Sequence, residues 1–233
     1  MMKTSDGWSI EVFTREIDSY YKAYQSGNNE FELAPLPIQY SDYATWERNS
    51  LTGTILSDKL SYWENRLSGY QTLSLPTDYT RPSQLDYKGK SLEFIIPEEL
   101  SAQLRGITQS QGVTLYSVLL SSVAVLLGKY SNQEDVIIGS PHANRGHYQS
   151  SNLIGFFINT LVNRVLLNKE ESFIDLIGQV HKDQVNSQTH QDFPFEQLLD
   201  HLSIERDTSR HPLFQVMFSL EGFGQQEVET LSK

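Results

Sequence analysis

The sequence predicts an α/β fold, because apolar segments of strand period and of helix period alternate through the latter part of the 233-residue chain. Val136-Ile137-Ile138 reads as an inner strand and the apolar run from Val113 to Leu127 as a buried helix. Hydrophobic residues make up 38% and charged residues 20%, which fits a globular chain long enough for one large or two small domains.

In chain order, Ile10, Phe13, Ile17, Tyr20 and Tyr24 recur at helical spacing, with Gly27 as the stop. Glu32 to Gln39 is extended, since Pro35 and Pro37 each push the preceding residue out of helical geometry. Leu56, Leu60, Trp63 and Leu67 form a second helical stripe closed by Gly69. The stretch from Leu75 to Gly89, with Pro76 and Pro82, is the best linker candidate. Ser91 to Ile96 reads as a strand, Glu98 to Gln111 as a helix capped by Gly112, and Leu115 to Leu127 as a more apolar helix. Leu161 to Leu167 suits a strand, and Ser172 with Asp175 opens a helix bearing Phe173, Ile177 and Val180. Pro194 is tolerated in a first helical turn, so Phe195 to Leu202 is a short helix. Phe214, Val216, Phe218 and Leu220 alternate as one face of a final strand.

Composition excludes several functions. With 29 acidic against 18 basic side chains the formal charge is −11, and clustered cations for phosphate contacts are lacking, so no nucleic acid is expected as a partner. Without cysteine there is no disulfide framework, thiolate nucleophile or thiolate metal site. The histidines show no metal-ligand spacing, and no metal is expected. The first residues lack the apolar core of a signal peptide, and Val113 to Leu127 falls short of the ~20 residues that span a bilayer, so the expected location is cytoplasmic, away from membranes.

Five motifs occur in order: Ser5-Asp6-Gly7-Trp8-Ser9, Tyr40 to Trp46 with Asp42, Ile154 to Thr160 with Asn159, His190 to Glu196 with Asp192, and Arg206 to Leu213 with Asp207 and Arg210. The series resembles that of condensation domains from nonribosomal peptide synthetases. That family's first motif reads His-His-x-x-x-Asp-Gly, and its second histidine is the one assigned to catalysis. Here the two histidine positions fall on Met1 and Met2. A thioether has no proton to exchange near neutral pH, so Met2 cannot act as a general base. Heterocyclization domains place aspartate at the first histidine position, which Met1 does not match. Epimerization domains share the histidine motif, but Asp6 to Ser9 together with His190 to Glu196 is closer to the peptide-forming class.

The resemblance implies a two-lobed fold like chloramphenicol acetyltransferase, with most of the first lobe absent and the second incomplete at its C-terminal end. Residues 1–75 are then the tail of the first lobe and the crossing segment, 76–89 a linker, and 90–233 the second lobe. It implies amide-bond formation between carrier-bound acyl and aminoacyl thioesters. The partners are peptidyl carrier and adenylation domains, phosphopantetheine is supplied by the carrier, and no cofactor is bound by the domain itself. The competing expectation is a noncatalytic remnant or interaction fragment of a broken or split synthetase gene.

Roles for individual residues follow from the same resemblance. Asp6 and Gly7 are what remains of the catalytic motif, the aspartate pairing with an arginine to hold the loop and the glycine letting substrate approach. Arg164 is the favoured partner of Asp6 and Arg145 the lesser one. Trp8 and Asn159 are assigned to the substrate tunnel, although Asn159 equally suits an ordinary loop-to-strand junction. Tyr40, Asp42 and Trp46 belong to a structural motif, and Asp192 is expected to cap the helix behind Pro194. Arg206, Asp207 and Arg210 are expected to form an internal ion-pair network. Trp8, Trp46 and Trp63 are most simply core aromatics.

Overall fold

Seven α-helices, a single 3-10 turn (Tyr148–Ser150) and a small sheet are arranged around three apolar clusters in a computed structural model that describes residues 5–202, 204 and 207–221. Helix α1 (Gly7–Gln25) starts where the Asp6 carboxylate accepts from the Ser9 N–H, and the chain turns away at Gly27 with φ +81°. Its buried side is Ser9 and Val12, whereas the stripe Ile10, Phe13, Ile17, Tyr20 and Tyr24 faces outward. Helix α2 (Tyr40–Ser50) opens with a capping box in which Asp42 Oδ2 accepts from the Gln39 N–H at 2.8 Å. Helix α3 (Gly53–Leu67) buries Trp63 and Leu67.

Helix α4 (Glu98–Gln111) ends at Gly112, whose φ of +63° is the left-handed cap expected of glycine. Helix α5 (Leu115–Ser131) is capped by Thr114. Strand β1 (Asp135–His142) pairs antiparallel with β2 (Asn159–Leu166), so that Ile137 faces Arg164 and His142 faces Asn159. Helix α6 (Phe173–Gln188) carries the capping box of Ser172 and Asp175, and the short α7 (Phe195–His201) follows Pro194. Among the described residues no single helix is long and apolar enough to cross a membrane.

The two faces of β1 explain the layering. Ile137 packs with Trp63, Leu67, Phe193, Phe195, Leu198 and Phe214, while Val136 and Ile138 point the other way onto Leu120, Ala124, Leu176 and Val180. Alternation at a period of two thus gives one strand two apolar partners, each buried side chain contributing roughly 1.5–3 kcal/mol.

Two expected strands differ. Ser91 to Ile96 forms no strand, and Leu92, Phe94 and Ile95 are 89%, 80% and 91% exposed. Apolar, β-prone residues make a strand only where a neighbour takes up their N–H and C=O groups, and no described segment does so here. Phe214 to Leu220 meets the sheet through one parallel bridge between Gly139 and Met217, with Gly139 N–H donating to Val216 O at 3.0 Å and Phe218 N–H to Gly139 O at 2.8 Å. The stretch 76–89 is coil, tied to the loop after α7 by Leu85 N–H donating to Thr208 O at 2.9 Å and Thr208 Oγ1 donating to Ser83 O at 2.8 Å.

Candidate functional site

The Asp-Gly motif is built into the fold by Asp6, whose side chain is buried under four donors. Asp6 Oδ1 accepts from Ser9 N–H at 2.8 Å, Ser9 Oγ at 2.7 Å and Arg145 Nη2 at 3.0 Å, and Oδ2 accepts from Phe157 N–H at 3.1 Å. Burial pushes this carboxyl up. The Ser9 hydroxyl and amide, the Phe157 amide and the Arg145 charge outweigh it and hold the group below its ordinary value.

Arg145 is the clamp. Its Nη1 donates to Ser150 O at 2.6 Å and Leu153 O at 2.8 Å, its Nη2 also donates to Ser9 Oγ at 2.9 Å, and the guanidinium lies 3.9 Å from the centroid of the Phe157 ring. The expected Asp6–Arg164 pair is therefore corrected to Asp6–Arg145. Arg164 instead grips Asp135 with two bonds, Nε to Oδ1 at 2.9 Å and Nη2 to Oδ2 at 2.8 Å, and donates to the carbonyls of Arg66 and Ser68. The reason is distance along the strand: five residues at ~3.3 Å each carry Arg164 roughly 17 Å from Asn159, toward the opposite end of the sheet.

Around this clamp the first three motifs meet. Gly7 is the first residue of α1, and a Cβ added there would find nothing within 4 Å, so the backbone at the motif is open on that side. Trp8 donates from Nε1 to Ser151 O at 2.8 Å. Tyr40 Oη donates to Phe156 O at 2.7 Å, and its ring covers Gly155 so closely that a Cβ there would lie 2.2 Å from Tyr40 Cδ2. Tyr43, Leu153 and Phe157 form the small core beneath. Trp63 is a core aromatic as expected, but Trp8 and Trp46 are 45% and 50% exposed, a correction. Their rings lie over Arg145 and against Tyr43 and His147, at the rim rather than inside, because this part of the chain has no layer above it among the described residues.

Asn159 joins the third motif to the fourth. Its Nδ2 donates to Gln191 O at 2.6 Å and Phe193 O at 2.7 Å, and its Oδ1 accepts from Thr160 N–H at 2.8 Å and Phe195 N–H at 3.1 Å. Every hydrogen-bonding position of the amide is used by backbone. Asn159, not Asp192, serves the N-terminus of α7, which corrects the expected cap: Asp192 instead pairs with Lys59 Nζ at 2.6 Å. His190 stacks on Tyr62 with ring centroids 3.8 Å apart. His142, opposite Asn159, is pushed below its ordinary value by burial, opposed by a hydrogen bond with Gln191.

In the fifth motif, two of the three charges expected in an internal network are among the described residues. Asp207 pairs with Arg210 at 2.5 Å, but both side chains are about 40% exposed, and Asp207 is held down to about 2 mainly by the Ser209 hydroxyl and amide, then by Arg210. Arg206, Met1 and Met2 lie outside the described residues. Sequence reading missed Ser9, the Phe157 amide and Lys59. The Asp-x-x-Ser spacing of Asp6 and Ser9 carries a capping signal that would have found the first.

A cavity of about 320 Å³ opens where β1 and β2 meet the start of α5 and the end of α6, at the Asn159 end of the sheet. A larger one of about 800 Å³ lies at the opposite end and is lined by Lys129, Glu134, Lys169 and Glu171. Neither is lined by a residue of the five motifs; a third cavity, of about 260 Å³, is lined by Tyr43 and Trp46 of the second motif and by Gln191 and Asp192 of the fourth, and position rather than size makes it the candidate site.

Known proteins resemble this chain over most of its length. A family model described as a condensation domain matches residues 4–233. A linear gramicidin synthase protein from Brevibacillus parabrevis is 43% identical over 93% of this chain, which spans 3% of that synthase. The X-domain from teicoplanin biosynthesis superposes with a TM-score of 0.83 at 27% identity, over 92% of this chain and 49% of its own. A four-domain nonribosomal peptide synthetase bound to AMP and glycine also superposes with a TM-score of 0.83, at 28% identity over 95% of this chain and 16% of its own. The chain thus spans about half of the X-domain it matches and a small part of the synthetases.

Proposed function

The chain belongs to the condensation-domain family, and we propose that it is one part of a domain that joins carrier-bound thioesters through an amide bond. The observation that carries this reading is the Asp6–Arg145 clamp, which fastens the Asp-Gly turn to the Ile154–Thr160 segment with the Gly7 backbone left open. In the proposed reaction the acceptor amine attacks the donor thioester carbonyl, the C–S bond breaks, the carrier thiol leaves with the amine's proton, and the C–N bond remains. Peptidyl carrier domains bring both substrates on phosphopantetheine arms, adenylation domains load them, and the work is cytoplasmic.

In this reading residues 1–75 and 90–233 belong to two lobes joined through 76–89. The outward stripe of α1 and the exposed Leu92, Phe94 and Ile95 suit burial against the remainder of such a domain, since apolar surface of this extent favours association. Met2 supports a second reading, a noncatalytic fragment, because its thioether cannot take the amine's proton. The test is a condensation assay with defined carrier-bound aminoacyl thioesters, read by mass spectrometry. The chain alone is expected to give no product above a no-protein control, and addition of a complementary first lobe bearing the two histidines is expected to give product. Failure of the complemented assay favours the noncatalytic reading.

A further inference from the structure

The cavity of about 260 Å³ between α2, the loop after β1 and the turn after α6 is lined by a polar side chain that nothing in the fold satisfies. Asn144 is only 8% exposed, yet its carboxamide makes no hydrogen bond with any described residue, and neither its oxygen nor its nitrogen is sealed from solvent. Buried polar groups are normally paired inside the protein, so an unpaired one at a cavity wall calls for a partner from outside. Asp192 lines the same cavity: its Oδ1 accepts from Lys59 Nζ at 2.6 Å, and its Oδ2 has no partner among the described residues. No lysine or arginine is among the lining residues. Behind the wall, Tyr43 Oη donates to Glu47 Oε1 at 3.3 Å, and the Glu47 carboxyl is pushed up first by burial and then by Asp192, against the Tyr43 hydrogen bond and the Arg48 charge. A further cation would relieve that repulsion between the two carboxylates. The remaining wall is aromatic, with ring centroids 5.6 Å apart for Tyr43 and Trp46 and 5.7 Å for Trp46 and His147, and half of Trp46 is open.

We propose that this cavity binds the ammonium-tipped side chain of a basic amino acid, the lysine and ornithine class, with its alkyl stem on the aromatic wall and its ammonium donating to Asp192 and Asn144. An ammonium spreads three hydrogens around one nitrogen, so acceptors on different walls of a small cavity are met together without being aligned on one edge. The Asn144 carboxamide, held by no internal bond, can turn its oxygen toward that nitrogen from either orientation. Aromatic rings attract the cation as well as the stem. A quaternary ammonium has no hydrogen to give, a carboxylate would face Asp192, and an aliphatic tip would leave Asn144 unpaired.

This rests on the reading that an aminoacyl group reaches the converging motifs. Binding of a free amino acid derivative needs neither carrier nor bond formation, so a chain that binds but never condenses refutes the function and not the site. The experiment titrates the full chain with the Nα-acetyl methyl esters of L-lysine, L-norleucine and Nε-trimethyl-L-lysine, which differ only at the tip, and with cadaverine as a free diamine, following the heat of binding. The lysine derivative is expected to bind roughly 10- to 100-fold more tightly than the norleucine derivative, the worth of a hydrogen bond to a charged group. Asn144 has a φ of +49°, so Asn144→Gly keeps the left-handed backbone while removing the carboxamide, and is expected to weaken the lysine derivative about tenfold. Asp192→Asn is expected to abolish the preference with a nearly unchanged Tm, because the pair with Lys59 that it gives up is partly open to water. Either variant decides the matter if the other fails to fold. Equal binding of the norleucine or trimethyl-lysine derivative, tighter binding of cadaverine than of the lysine derivative, or a preference that survives in the folded variants overturns the proposal.

Discussion

Arg145 Nη2 lies 3.0 Å from Asp6 Oδ1 across 139 residues of sequence, and both side chains are almost wholly buried. The pair joins the start of α1 to the loop after β1, and through Ser150, Leu153 and Phe157 it fixes the path of the chain into β2. Arg145→Met is expected to destabilise the protein by ~3–5 kcal/mol, because it leaves a buried carboxylate without its cation. Denaturant unfolding measures this, and a loss no larger than that of an exposed ion pair would show the clamp to be dispensable.

The same carboxylate makes an acid-limb prediction. Its folded pKa lies below its ordinary 3.8, so its contribution to stability is complete above that value and is lost as pH falls through the folded pKa. Asp6→Asn is expected to be less stable at neutral pH and to show a flatter decline below pH 4 than the parent. Parallel curves from pH 7 to pH 2 would assign the acid sensitivity elsewhere.

Asn159→Ala should loosen the fourth motif specifically. It removes the acceptor for Phe195 N–H and both donors to Gln191 O and Phe193 O, and helix-cap losses of this kind cost ~1 kcal/mol before the orphaned carbonyls are counted. Faster hydrogen exchange is expected at residues 191–198, with β1 unaffected.

Gly155→Ala places a methyl group 2.2 Å from the Tyr40 ring, which must then move and give up its hydrogen bond to Phe156 O. Overpacking of this kind costs ~1–3 kcal/mol, and Tyr40→Ala in the same chain is expected to relieve part of it. A double-mutant cycle with no coupling would contradict the close approach.

Asp207→Ala is expected to leave the Tm nearly unchanged, since its partner Arg210 is equally open to water and such pairs are screened. A large fall in Tm would mean that the motif carries structure beyond that pair.

The sequence by itself determined the family, the alternation of helix and extended chain after Ser91 apart from its unpaired first strand, and the local stops. The Ser172/Asp175 box and the Gly112 cap act within four residues, so nothing distant can alter them. Trp63 was legible as core because a helical stripe surrounds it, whereas α2 was hidden by a polar sequence whose helix is set by the Gln39/Asp42 box. Tertiary structure alone decided which arginine meets Asp6. Both arginines lie far from it in sequence, and the choice depends on strand direction and register, which place Asn159 and the loop bearing Arg145 at one end of the sheet and Arg164 toward the other. It likewise turned Asn159 into the cap that Asp192 was expected to provide, and left Trp8, Trp46 and Asp207 in contact with water. A short-range hydrogen bond can be read from spacing, but burial and long-range pairing depend on what the rest of the chain brings to the same place.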